Sequence, residues 1–212
     1  DHPGMSSEYR RLAQFLGLST DDFHPSIALT EADRARVLEM VGSERAARGY
    51  AVAAPFTTRP QKHWPQAHWR QWIDLLAEQT GLPTLLLGGP GDRAAAQQIS
   101  AGCRHAPIDL VGQLTLRQSA AAIASARLLV GVDTGLTHMG AGFRVPTVAL
   151  FGSTRPYLDS GLPVVQENYH ALACSPCRRH PTCAGRFDCL GGIAPAEVWE
   201  AARQVMAEEA AR

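Results

Sequence analysis

From residue 50 onward, short apolar runs alternate with longer stretches in which apolar positions recur every three or four residues. "YAVAAPF" (50–56), "PTLLLGG" (83–89), "IDLVG" (108–112), "RLLVGVD" (127–133) and "VPTVALFG" (145–152) read as strands that are apolar on both faces. Between them lie helical patterns. "PQAHWRQWIDLLAEQTG" (65–81) is opened by Pro and closed by Gly; "DRAAAQQISAG" (92–102) follows, then "TLRQSAAAIASA" (115–126), capped by Thr115. A further helix starts within "GVDTGLTHMGAG" (131–142). Strands buried on both faces and alternating with helices predict an α/β fold, a parallel sheet with helices on both faces.

On either side of this regular region the pattern changes. Residues 6–17 read as a short amphipathic helix and 18–29 as a connection containing Pro and Asp. Residues 30–49 read as one helix, with Thr30 as N-cap and Asp33 in its first turn. Residues 153–194 form a loop-rich segment containing cysteines, and 194–212 a terminal helix.

Composition narrows the class. A 212-residue chain that is 45% hydrophobic can bury a core and is not disordered. Its 20 basic and 20 acidic residues balance, which argues against a general nucleic-acid or acidic-membrane binder. No apolar run reaches the length of a membrane span, and the first residues lack the basic start and apolar segment of a secretory signal. Because it does not begin with Met, the chain is expected to be a piece of a longer protein or one whose front was removed. Five cysteines, an odd count, fit a reducing compartment better than a disulfide framework.

In open parallel sheets ligands bind beyond the carboxyl ends of the strands. The polar loops after the strands are "TTRPQKHW", "GGPGDR", "GQLT", "DTGLTH" and "GSTRP", all at one edge of the expected sheet. Asp133, Thr134 and Gly135 stand where a buried strand becomes a helix, whose free N–H groups and partial positive charge suit a phosphate. Gly135 permits close approach of a ligand, Thr134 and Thr137 offer hydroxyls, and His138 a ring nitrogen. The blander reading of Asp133 or Thr134 is an N-cap. Across the edge, Thr57, Thr58 and Lys62 share one loop, and Lys62 is the one lysine in the chain, a compact ammonium where every other strong cation is Arg. Trp64 and Trp69 read as core aromatics. Asp92 could accept from ribose hydroxyls or serve as a helix N-cap, and Leu114 could pack on a base. Cys174, Cys177, Cys183 and Cys189, spaced C-x2-C-x5-C-x5-C, could hold zinc or iron, although the second pair lacks tight spacing; free thiols are the other reading. No metal or cofactor is assigned on these grounds.

Taken in order, "TTRPQKHWPQAHW" and "VDTGLTHMGAG", with "LLLGG", "CSPC…C…C" and "APAEVW" in looser support, resemble the C-terminal half of glycosyltransferase family nine, the bacterial heptosyltransferases of lipopolysaccharide core assembly. The resemblance covers most of the chain. It implies the C-terminal Rossmann-like domain of a GT-B glycosyltransferase, with 1–48 as interdomain linker and helices and 49–212 as the nucleotide-sugar-binding domain. By motif, Thr57, Thr58, Lys62, Thr134, Gly135, Leu136 and His138 would contact the diphosphate of ADP-heptose or a similar nucleotide sugar. Asp133 would fix the turn near the sugar–phosphate, and Leu114 would pack on adenine. Asp92 stands where the family usually has Glu for the ribose. The implied reaction is inverting heptose transfer to a lipid A-core acceptor, without a divalent metal. Lys62 would stabilise the leaving group, and the base would be an Asp of the N-terminal domain, for which this chain has no matching segment. The isolated chain is therefore expected to be inactive. The implied location is cytoplasmic, peripheral to the inner membrane at most, with no nucleic-acid partner. Other readings are a transferase using another nucleotide sugar or a protein acceptor, and a non-catalytic nucleotide- or metal-binding module.

Overall fold

The computed structural model describes residues 5–21, 27–154 and 165–211. Parts of the 18–29 connection and of the 153–194 segment therefore lie outside the described residues. In chain order the elements are α1 (Met5–Phe15), α2 (Glu31–Val41), α3 (Ser43–Arg48), β1 (Ala51–Ala54), α4 (Gln66–Thr80), β2 (Thr84–Leu86), α5 (Arg93–Ala101) and β3 (Ile108–Asp109). There follow α6 (Leu116–Ala124), β4 (Leu128–Val132), α7 (Gly135–Gly142), β5 (Thr147–Phe151), β6 (Val165–Tyr169), α8 (Asp188–Gly191) and α9 (Pro195–Ala210).

The strands form one six-stranded sheet in the order β3-β2-β1-β4-β5-β6, and every pairing is parallel. This is the Rossmann-like order, in which the direction of winding reverses between β1 and β4. The central strands β1, β2 and β4 divide their side chains between two cores. Ala51, Ala53, Leu86, Val130 and Leu150 pack with Trp69, Trp72, Leu76 and Val198 of α4 and α9 on one face. Val52, Leu85 and Leu129 pack with Val37 and Val41 of α2 and with Ile123 of α6 on the other. Burial on both faces is why these strands read as continuous apolar runs. Trp64, Trp69 and Trp72 are buried and meet edge to face, with centroids 4.9 and 6.0 Å apart along the series, and the Trp64 indole donates to the Ile193 carbonyl at 2.9 Å.

Two departures from expectation have local causes. The helix expected over 30–49 is two helices, because Gly42 takes φ 87°, a left-handed conformation that ends α2. Its start is as expected: the Thr30 hydroxyl accepts from the Asp33 amide at 3.2 Å while the Asp33 carboxylate accepts from the Thr30 amide at 3.1 Å. The segment expected to be loop-rich also contributes β6, a sixth parallel strand at the edge of the sheet beside β5. Its sequence, "VQENY", has no apolar run, because a partly exposed edge strand needs none.

Candidate functional site

The crevice between the carboxyl ends of β1 and β4 is the site built by this topology. Its cavity has a volume of about 650 Å³ and collects residues from four segments of the chain. All ten candidate residues line it: Thr57, Thr58 and Lys62 after β1, Asp92 after β2, Leu114 before α6, and Asp133, Thr134, Gly135, Leu136 and His138 after β4.

At the centre is Asp133. Its Oδ2 accepts from the Lys62 ammonium at 2.5 Å, and its Oδ1 lies 3.3 Å from His138 Nε2. A third donor is the hydroxyl of Thr154, 2.5 Å from the same Oδ2. Lys62 and Asp133 are 18% and 11% exposed, so their ion pair is shielded from bulk water and screened little by salt. Burial raises the Asp133 pKa, but the hydrogen bonds from His138, Lys62 and Thr154 outweigh it and hold the carboxyl well below the ordinary range. Asp133 is therefore a fixed anion and a very weak base.

Lys62 sits at the end of a short 3-10 turn, Pro60–Lys62, in which Pro60 sets the backbone and Gln61 is buried. The Gln61 amide donates to the Arg178 carbonyl at 3.1 Å, so this loop is anchored by the cysteine-bearing segment. On the other side, Thr134 is the N-cap residue of α7, but its side chain makes no capping hydrogen bond. The first amides of α7 thus face the crevice without a side-chain cap. A Cβ at Gly135 would meet no atom within 4 Å, which leaves open space above that amide. An anion between Lys62 and the start of α7 would meet an ammonium, backbone N–H groups and the hydroxyls of Thr57 and Thr58.

Thr137 departs from expectation. It is 2% exposed, and its hydroxyl donates inward to the Val132 carbonyl at 2.6 Å. One helical turn beyond the N-cap, its side chain points back into the strand-to-helix junction and offers no ligand a hydroxyl. Gly131 is explained by the same contact, because a Cβ there would come within 2.1 Å of Thr137 Oγ1. Gly140 lets α7 lie close on the sheet, since a Cβ there would reach 2.5 Å from Leu129 Cδ2. Asp92 reaches the crevice, but its Oδ2 accepts from the Gly89 amide at 2.8 Å, which caps the short turn before α5. Its other oxygen carries whatever ligand role it has.

Sequence reasoning passed over Phe56, Leu116 and Thr154. Leu116, 66% exposed on the first turn of α6, stands with Leu114 as an apolar rim of the cavity. The signal for it was an apolar side chain directly after an N-cap. Thr154 follows β5 at the same sheet edge, within the sequence "GSTRP".

Nearby, burial pushes the Glu167 carboxyl on β6 up to about 7, an effect moderated by the charge of His138. The five cysteines are free thiols; Cys183 and Cys189 are buried, and Cys174 and Cys177 partly exposed. Among the described residues no group of three His, Cys, Asp or Glu side chains is arranged to hold a metal ion. No described helix is long and apolar enough to cross a membrane.

Comparison with known proteins places this geometry in a family. The family model for glycosyltransferase family 9 (heptosyltransferase) matches residues 5–186. Lipopolysaccharide heptosyltransferase 1 of Salmonella typhimurium is 39% identical over 128 residues, which are 60% of this chain and 38% of that protein. The solved structure of the E. coli heptosyltransferase WaaC with ADP is 26% identical at a TM-score of 0.67, covering 94% of this chain and 56% of that one. A family 9 glycosyl transferase from Veillonella parvula shares the fold at a TM-score of 0.81 and 24% identity, covering 98% of this chain and 61% of its own. The matches span less than two thirds of each relative's length.

Proposed function

The chain belongs to glycosyltransferase family 9, and from that premise we propose that it is the nucleotide-sugar-binding part of a heptosyltransferase. In this reading ADP-heptose lies in the crevice between β1 and β4. The observation that carries it is the placement of Lys62 opposite the uncapped start of α7 at the switch point of the sheet.

The chemistry follows from where charge develops. An acceptor hydroxyl attacks the anomeric carbon of the heptose, the bond from that carbon to the diphosphate oxygen breaks, and ADP departs with the electron pair. The negative charge grows on the diphosphate, where Lys62, the α7 amides, Thr57, Thr58 and His138 are positioned to meet it. Preorganised donors in a shielded site stabilise such charge without reorganisation. They supply the positive field without calling on a bound metal. Leu114 and Leu116 form the apolar surface for the adenine, and the free oxygen of Asp92 faces the ribose.

Asp133 does not take the acceptor's proton in this scheme, because three donors hold it as a weakly basic carboxylate. The base belongs to the part of the protein that binds the acceptor, which is lipopolysaccharide by likeness to the lipopolysaccharide heptosyltransferases. Such an acceptor would be met on the cytoplasmic side, by a protein peripheral to the inner membrane at most. Titration calorimetry of this chain with ADP tests the reading directly. Saturable binding at one site is expected, and it should be competed by ADP-heptose but not by UDP-glucose. Absence of ADP binding would overturn the proposal.

A further inference from the structure

We propose that Thr154 is a positioning residue of this site: its hydroxyl keeps Asp133 turned away from the bound diphosphate when Lys62 transfers its contact to the ligand. The inference rests on the functional reading above for the identity of the ligand, but the geometry behind it does not. Thr154 and Lys62 share one oxygen, Asp133 Oδ2, and each lies 2.5 Å from it. The ammonium is therefore committed to a carboxylate. A diphosphate entering the crevice competes for that ammonium, and every contact it gains with Lys62 is taken from Asp133. Without a second donor on Oδ2, a part-buried carboxylate would be left facing an incoming anion. That arrangement costs both desolvation and repulsion. Thr154 provides the second donor; unlike Thr57, Thr58 and Lys62 it does not line the cavity, so the incoming anion does not compete for its hydroxyl.

The rest of the molecule holds Thr154 where this task requires. The loop after β5 is secured on two sides by the cysteine-bearing segment: the Ser175 hydroxyl donates to the Gly152 carbonyl, and the Arg178 amide donates to the Ser153 carbonyl at 2.6 Å. The Arg178 carbonyl accepts from Gln61 in the Lys62 loop. One short segment, residues 175–178, thus ties the loop carrying Thr154 to the loop carrying Lys62. The two donors to Asp133 keep a common register, although 92 positions separate them in the sequence. The charged and titratable groups around Asp133 are Lys62 from the β1 loop and His138 from α7, with Glu167 of β6 acting on His138 from beyond.

Two variants and two measurements test the proposal. In the ligand-free chain, a carbon-13 carboxyl titration should show Asp133 titrating about one unit higher in Thr154→Val than in the wild type, with Thr154→Ser close to the wild type. In calorimetry, Thr154→Val should bind ADP about tenfold more weakly. It should also take up more protons on binding than the wild type near pH 5.5, because Asp133 loses both of its Oδ2 donors. Thr154→Ser should restore affinity and proton balance. An unchanged Asp133 titration in Thr154→Val would overturn the proposal, as would wild-type ADP affinity in that variant. Equal losses in Val and Ser variants would also overturn it, since that pattern marks a packing role. If the wild type itself bound no ADP, the functional reading would fall, and the ligand-free titration would still decide whether Thr154 holds Asp133.

Discussion

The two ends of the sheet carry cavities of similar size and opposite character. At the amino ends of the strands a cavity of about 570 Å³ is lined by Thr80, Ala124, Phe143 and Ala210, which stand at the carboxyl ends of α4, α6, α7 and α9. At the carboxyl ends the crevice of about 650 Å³ meets the starts of α6 and α7. Both contain cations, Arg127 and Arg144 at one end and Lys62 at the other. Helix carboxyl ends present carbonyl oxygens and partial negative charge, whereas helix starts present N–H groups and partial positive charge. Volume and a nearby cation do not by themselves distinguish the two ends. In the proposed reading, backbone polarity, set by the direction in which every βα unit is wound, directs the diphosphate to the carboxyl ends of the strands.

The sharpest way to break this contrast is to remove one cation from each end. Lys62→Ala should weaken ADP binding about 10- to 100-fold, the usual cost of losing a charge-assisted hydrogen bond, while Arg127→Ala leaves it unchanged. Parallel calorimetric titrations of the two variants check this. Equal losses at both ends would mean that net positive charge matters and helix direction does not.

A smaller effect is expected from the junction beneath the crevice. Gly131→Ala would drive a methyl group into Thr137 Oγ1 and toward the Ala54 side chain, 3.1 Å away. Overpacking of this kind costs about 1–3 kcal/mol, measurable by urea denaturation. Because Thr137 fixes the start of α7, ADP affinity should fall with it; stability lost at unchanged affinity would separate the junction from the site.

The smallest effect concerns Glu167. Its folded pKa of about 7 exceeds its ordinary value, so the folded protein retains a proton that the unfolded chain has already released. Stability should therefore fall as the pH rises from about 4.5 through 7. Glu167→Gln removes the group, and its melting temperature should exceed that of the wild type by about 2–4 °C at pH 8, with little difference at pH 4.5. A difference of the same size at both pH values would rule out this origin.

Much of this arrangement was legible beforehand because its signals are local. Thr115 and Thr30 announced helix starts through their own side chains, and Lys62 stood out as the one lysine among arginines. β6 was missed because an edge strand with one partner carries no apolar run, and "VQENY" resembles a loop. Its place after the N-cap puts Thr137 among the hydroxyls that could meet a ligand, but that spacing says nothing about which way a hydroxyl turns. Gly42 was read as part of one helix because periodicity continued across it, while its left-handed backbone is not visible in a pattern of apolar positions.

What the amino-acid sequence determined by itself is the alternation of strands and helices from β1 to β5, the edge on which the polar loops fall, and the residue types that could meet a diphosphate. These follow from hydrophobic period, caps and turn residues, all of which act over a few neighbouring positions. Only the tertiary structure decided that Lys62, His138 and Thr154 all converge on Asp133 and hold it as a weakly basic anion. Lys62 and Thr154 lie 71 and 21 positions away from it in the chain. Their meeting depends on β1 and β5 flanking β4 in the sheet, which is a property of strand order and not of any local stretch.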